Sequence, residues 1–90
     1  MGCYPDDPNR MLKDFREESD VMTREWCLVK CREGNYTFAG LEHYTHCFCG
    51  DSYVESVYPK KAESECNTPC TGNPQQMCGG VWRLSVFICR

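Results

Sequence analysis

The chain has no apolar run near the ~20 residues a membrane-spanning helix needs, so no segment of it inserts into a bilayer. It has no basic stripe either. Ten Lys and Arg are scattered among 13 Asp and Glu, giving a formal charge of −3, so nucleic-acid binding has no electrostatic footing. Histidine is scarce: His43 and His46 flank one short loop with Tyr44. Asp6-Asp7 reads as a turn pair, and Glu63 with Glu65 as loop surface. No nucleophile, base and orienting group form a constellation, so no catalytic residue is assigned and no independent enzymatic activity is expected, although the chain could serve as an accessory module of a larger enzyme. The C-x2-C spacing of structural zinc sites is missing, so neither a metal nor another cofactor is expected. Internal repeats and low-complexity stretches are also missing. No leader precedes Cys3, which follows Met1 and Gly2 directly. The chain therefore reads as a domain excised from a longer protein, with Met1 an added start residue.

Cysteine is abundant: nine in 90 residues. That is the composition of a disulfide scaffold from an oxidising compartment, secreted or at the cell surface. A chain this short suits one domain, here residues 2–88, and can bury only a limited apolar core. Two cysteine pairs organise it. Cys27 and Cys31 are spaced i, i+4, roughly 6 Å apart on one face of a helix. Cys47 and Cys49 are spaced i, i+2, roughly 6.6 Å apart on one face of a strand. The near-equal steps allow a helix to be stapled flat on a strand by two adjacent bridges.

Local signals fill in the rest. Thr23 can cap a helix over residues 23–33, with Glu25 in its positive first turn and Gly34 as the C′ residue that ends it. Residues 36–41 and 47–49 read as strands, and Leu84, Val86 and Ile88 alternate with Arg83 and Ser85 in a half-buried final strand. Residues 10–15 read as a short extended segment, 16–20 as exposed charge, 51–65 as an irregular loop and 75–78 as one helical turn. The expected class is α+β: a small disulfide-rich domain with one main helix on an antiparallel sheet. Asn35-Tyr36-Thr37 is an N-x-T sequon, which marks Asn35 as a glycosylation acceptor and the protein as a candidate glycoprotein. Eleven aromatics are many for a core this small. Trp26, Phe38 and Phe48 are assigned to the core. Tyr44, Tyr53, Tyr58 and Trp82 are assigned to the surface as ligand-binding candidates, with Glu42, Asp51, Asn67 and Arg83 as polar partners. For Glu42 and Arg83 a structural ion pair or hydrogen-bonded anchor is an equal expectation.

Further short motifs join these: Gly2-Cys3-Tyr4 with Asp6, Met22-Thr23, Ala39-Gly40-Leu41-Glu42, Cys47-Phe48-Cys49-Gly50, Glu65-Cys66-Asn67, Pro69-Cys70, Gly72, and Cys78-Gly79-Gly80 before Arg83-Leu84-Ser85-Val86. Together they resemble the WSC domain, an extracellular cysteine-rich module of the PAN/apple-like kind, over residues 2–87. The resemblance implies the pairing Cys3–Cys66, Cys27–Cys47, Cys31–Cys49 and Cys70–Cys78. The crossed clamp, Cys27–Cys49 with Cys31–Cys47, would need the strand to run the other way past the helix. The resemblance further implies a non-catalytic carbohydrate-binding module that recognises β-glucan or a related polysaccharide. The alternative it carries is a protein–protein interaction module of a secreted or cell-surface multidomain protein. Cys89 departs from the pattern. It is expected to remain a thiol, to bridge a segment outside this chain, or to link two copies through a symmetric interchain bridge.

Overall fold

In the computed structural model, which describes residues 1–89, the chain forms strands β1 (Gly2–Pro5) and β2 (Phe15–Glu18), helix α1 (Arg24–Glu33), and strands β3 (Phe38–Glu42), β4 (His46–Gly50), β5 (Pro69–Cys70), β6 (Asn73–Met77) and β7 (Arg83–Ile88). A 3₁₀ turn occupies Glu63–Glu65. Five strands make one antiparallel sheet in the order β1-β7-β3-β4-β2, and β5 with β6 makes a separate ribbon. This is the expected α+β arrangement of one main helix on an antiparallel sheet.

The helix starts where a side chain can take over an orphan donor. Thr23 Oγ1 accepts the Trp26 N–H at 3.0 Å, and Glu25 lies in the positive first turn. Its other end departs from expectation. Gly34 keeps a right-handed φ of −80°, and Asn35 takes the left-handed position at φ 65°. The Tyr36 N–H returns to the Cys31 carbonyl at 2.9 Å and the Asn35 N–H to Arg32 at 3.0 Å, a Schellman closure with asparagine at C′. Gly34 is still needed. A Cβ there would stand 2.5 Å from the Tyr36 ring, which folds back over it.

Period-two alternation gives the sheet two different faces. Ala39, Leu41, Cys47 and Cys49 point to the helix and join Cys27, Cys31 and Met22 in one core cluster of ten buried residues, seven of them cysteine. Cys27–Cys47 and Cys31–Cys49 bolt α1 across β4. Three of these sulfurs, those of Cys27, Cys31 and Cys47, lie within 4.8 Å of one another, but all belong to bridges and offer no thiolate to a metal. The other face carries Phe48, Leu84, Val86 and Tyr4, packed with Met11, Leu12 and Tyr58. Cys3–Cys66 ties β1 to the residue after the 3₁₀ turn, and Cys70–Cys78 closes the β5–β6 ribbon.

Two segments differ from their sequence reading. Residues 10–15 are not the extended piece. The strand is Phe15–Glu18, starting five residues later, because it pairs Arg16 opposite Phe48 while Met11 and Leu12 turn into the core. Residues 75–78 are not a helical turn. They belong largely to β6, held in ribbon form by the Cys70–Cys78 bridge and by the Cys78 N–H bond to the Thr68 carbonyl.

Candidate functional site

The face of the sheet away from α1 opens, at one end, into a cleft of about 240 Å³. Its walls are Glu42 from the end of β3, His43 from the following turn, His46 and Phe48 from β4, Arg16 from β2, Arg10 from the first loop, and Val81 and Trp82 from the turn before β7. Strand alternation places the sheet residues: Arg16 pairs with Phe48, and Glu42 with His46, all on the same face.

Two arginines meet one aromatic floor. The Arg10 guanidinium carbon is 5.1 Å from the Phe48 ring centre and 5.2 Å from that of Trp82. Arg16 stands 5.5 Å from Phe48. These are cation–π distances. Arg10 is held from behind by Asp6, at 3.0 Å, and Asp6 Oδ1 also accepts the Met11 N–H at 2.8 Å. Trp82 remains 42% exposed and Tyr44 41%, with the Tyr44 ring 4.6 Å from that of His43.

Glu42 is buried beside Asp6. Burial first, and the Asp6 carboxylate next, push its pKa up to about 9, so it is protonated at neutral pH. Arg10 opposes this but stands 3.9 Å away. Glu42 lines the cleft, and its Oε1 is buried without a hydrogen-bond partner. Burial also lowers the His46 pKa, although Glu18 sits 3.3 Å from Nε2 and acts against it.

The structure sorts the sequence candidates. Trp82 and Glu42 line the cleft, and Tyr44 flanks it through His43. Tyr58 is not a surface residue. It is 6% exposed, with its hydroxyl bonded to Asp7 at 2.7 Å. Tyr53 is half-buried, edge-on to Tyr4 and Phe38, each at 5.6 Å. The loop Ser52–Tyr58 packs on the core, and both tyrosines line a separate cleft of about 450 Å³ between that loop and the first loop, with Asp7, Asn9 and Lys13. Asp51 lies near the opposite end of β3, accepting from both the Thr37 N–H and hydroxyl. Arg83 is bound to Glu65 at 2.6 Å and donates to the Trp82 carbonyl at 2.8 Å, so it anchors the turn that carries Trp82. Asn67 is exposed in the loop after the 3₁₀ turn and lines no cleft. Of the assigned core aromatics Phe48 is buried, whereas Phe38 and Trp26 are only partly so. Cys89 is 3% exposed, and its Sγ donates to the Tyr36 carbonyl at 3.1 Å. A link to a second copy would require that end of β7 to open.

Arg10, Arg16, His43 and His46 were missed as site residues. Their types carry no signal by themselves, but Arg16 and His46 could have been placed by extending the β2–β4 alternation. Arg10 and His43 depend on turn geometry. Among the described residues five non-glycines have positive φ: Arg10, Asn35, His43, Tyr44 and Trp82. Four of these five line or flank the cleft.

Residues 1–80 match the family described as WSC domain. A WSC domain-containing protein of Arthroderma benhamiae is 43% identical over 88 residues, covering 96% of this chain and 9% of that protein. Kremen protein 1 of Homo sapiens is 36% identical over 88 residues, 97% of this chain and 19% of its own length. Xylosyltransferase oxt of Drosophila melanogaster is 29% identical over 89 residues, 97% of this chain and 10% of its own. The chain thus spans a tenth to a fifth of the length of these curated relatives.

Proposed function

The chain belongs to the WSC domain family, and from that premise we propose that it is a non-catalytic, extracellular saccharide-binding module whose site is the arginine–aromatic cleft. The carrying observation is the gathering of four left-handed non-glycine residues around one cleft. Each such residue costs roughly 1–2 kcal/mol, and strain of this kind collects at functional sites. Here it holds an indole and a phenol partly in solvent beside fixed polar groups. Exposed aromatic faces suit the apolar faces of sugar rings, and the neighbouring polar groups suit their hydroxyls. The cleft is smaller than the ~300–1,000 Å³ of pockets that engulf drug-sized ligands, so it suits one unit of a chain lying across the surface.

A non-catalytic role fits the polar groups present. Thr45 Oγ1 lies 3.1 Å from His46 Nδ1, but Thr45 is outside the cleft lining. Arg10 and Arg16 offer hydrogen-bond donors and no acceptor, so they cannot act as bases. The four bridges support an extracellular location, since disulfides persist in oxidising compartments and are rare in a reducing cytosol. The exposed Asn35 sequon is proposed to carry a glycan, clear of the cleft.

Titration of the oxidised protein with laminarin, xylan, chitin oligomers and cellulose tests the reading. Binding to at least one, weakened by Trp82→Ala, is expected. No binding to any at millimolar sugar would refute it.

A second reading rests on a different surface. Trp26 and the exposed Val29 lie along the outer side of α1, rimmed by Glu25, Lys30 and Glu33. An open apolar strip with a charged rim suits a protein partner. Val29→Asp should then abolish capture of that partner while leaving saccharide titrations unchanged.

A further inference from the structure

The cleft has an unbalanced charge. Arg10 is neutralised by Asp6, whose side chain is 1% exposed. Glu42 is uncharged at neutral pH because its proton is retained beside Asp6. Burial lowers the His46 pKa, and its neighbour Glu18 is a 59% exposed rim residue. Arg16 is different. Among the described residues no carboxylate lies within 4.0 Å of it, and its guanidinium is fixed 5.5 Å from the Phe48 ring. The nearest formal anion on its own face of β2 is Glu18, two residues along, roughly 6.6 Å away in strand spacing. A protein of net charge −3 thus presents a cation, with its bonding edge open, in the same cleft as an exposed indole.

Glu42 points the same way. Its side chain stands in the cleft wall, with Oε1 buried and without a hydrogen-bond partner. Protonated, Glu42 adds no negative charge to the cleft wall that would repel an anionic substituent paired to Arg16.

Building on the saccharide reading, we propose that the cleft selects acidic saccharides, with the sugar ring on Trp82 and its anionic substituent paired to Arg16. A carboxylate of the uronate type matches the planar two-pronged face of the guanidinium, and a sulfate ester offers the same charge with different geometry. Arg10 is the less available of the two arginines, because its Nη1 is held by Asp6 and its guanidinium lies against the Phe48 and Trp82 rings.

The test compares matched ligands on the intact, oxidised protein by calorimetry or amide-shift titration. One arm uses trigalacturonate against its methyl ester. The other uses a sulfated glucan oligomer against its neutral parent. An exposed ion pair is worth up to about 1 kcal/mol, so the acidic form should bind about fivefold tighter in at least one arm. Arg16→Gln should erase that advantage, Arg16→Glu should reverse it, and high salt should narrow it. Arg16 is exposed, so these variants should fold, and retained amide dispersion verifies it. Equal binding of charged and neutral partners, or an advantage that survives Arg16→Gln, overturns the acidic preference while leaving the saccharide reading in place. If no saccharide of either kind binds, both fall together.

Discussion

Trp82 carries the cleft at the scale of the single residue, and its backbone makes it an unusual tryptophan. It holds φ 55° at the turn before β7, where a glycine would sit without strain. Substitution should therefore separate stability from binding. Trp82→Gly loses the contact with Arg10 but relieves the left-handed strain, so urea midpoints should stay within about 0.5–1 kcal/mol of wild type, far from the ~3–5 kcal/mol cost of a buried aromatic. Saccharide affinity should be lost. Glu42 gives a pH signature. Its folded pKa, about 9, lies above its ordinary value of 4.5, so the folded chain holds a proton that the unfolded chain releases. The stabilisation is complete below pH ~4.5 and is lost as pH rises through 9, with a limiting slope of about 1.4 kcal/mol per unit. Glu42→Gln, which keeps a donor towards Asp6 without an ionisable proton, should flatten that slope in denaturation curves taken at pH 5, 7 and 9 (roughly spanning the window). An unchanged slope would mean that Glu42 is not the titrating group. Such residues are hard to read from sequence. Trp82 is exposed and Tyr58 buried, yet both stand in turn-rich stretches with no periodicity, where exposure depends on how a loop folds back.

The clamp is the feature of the element scale that spacing made visible. An i, i+4 pair on a helix and an i, i+2 pair on a strand share a step, and α1 does lie across β4 through Cys27–Cys47 and Cys31–Cys49. The final strand was legible in part: Leu84 and Val86 face one core as expected, but Ser85 is buried on the other side and Ile88 is 58% exposed, because β7 lies inside the sheet and is covered on both faces rather than half-buried. β2 was not. Arg16, Glu17 and Glu18 look like solvated charge, and only pairing with β4 makes them a strand. The two clamp bridges span 20 and 18 residues, and either alone leaves the other closing much the same loop. In the chain-entropy treatment, removing one should cost about 2 kcal/mol and removing both about 5 kcal/mol, more than the sum of the singles. Denaturant titration of the Cys27→Ala/Cys47→Ala, Cys31→Ala/Cys49→Ala and fourfold variants checks this, and strict additivity would count against overlapping loops. Gly79 is the other element-scale dependence. At φ 68° its missing side chain lets Leu41 and Arg83 carbonyls approach to 2.2 and 2.4 Å of where a Cβ would stand. Gly79→Ala should displace the Trp82 turn and destabilise by more than ~2 kcal/mol, seen as a lowered urea midpoint.

At the scale of the whole molecule, sulfur takes the place that aliphatic packing holds in larger domains. Seven of the ten residues in the core under α1 are cysteines, and the second core, on the far face, is a patch of seven residues beneath the first loop and the Ser52–Tyr58 loop. Neither cluster alone resembles the interior of a self-sufficient domain. The Cys3–Cys66 bridge spans 63 residues and, in the chain-entropy treatment, contributes about 4 kcal/mol, the most of the four. It also fastens β1 beside β7, and β7 is the strand that the Trp82 turn enters. The cleft draws its walls from the first loop, β2, the β3–β4 turn and the turn before β7, which meet only because the bridges hold the sheet and its loops together. Stability and recognition should therefore fail together. As reductant opens the bridges, ligand affinity should fall in step with the loss of near-ultraviolet circular dichroism, and reoxidation should restore both. Native affinity in a fully reduced sample, confirmed by thiol counting, would show that the cleft is assembled by something other than these bridges.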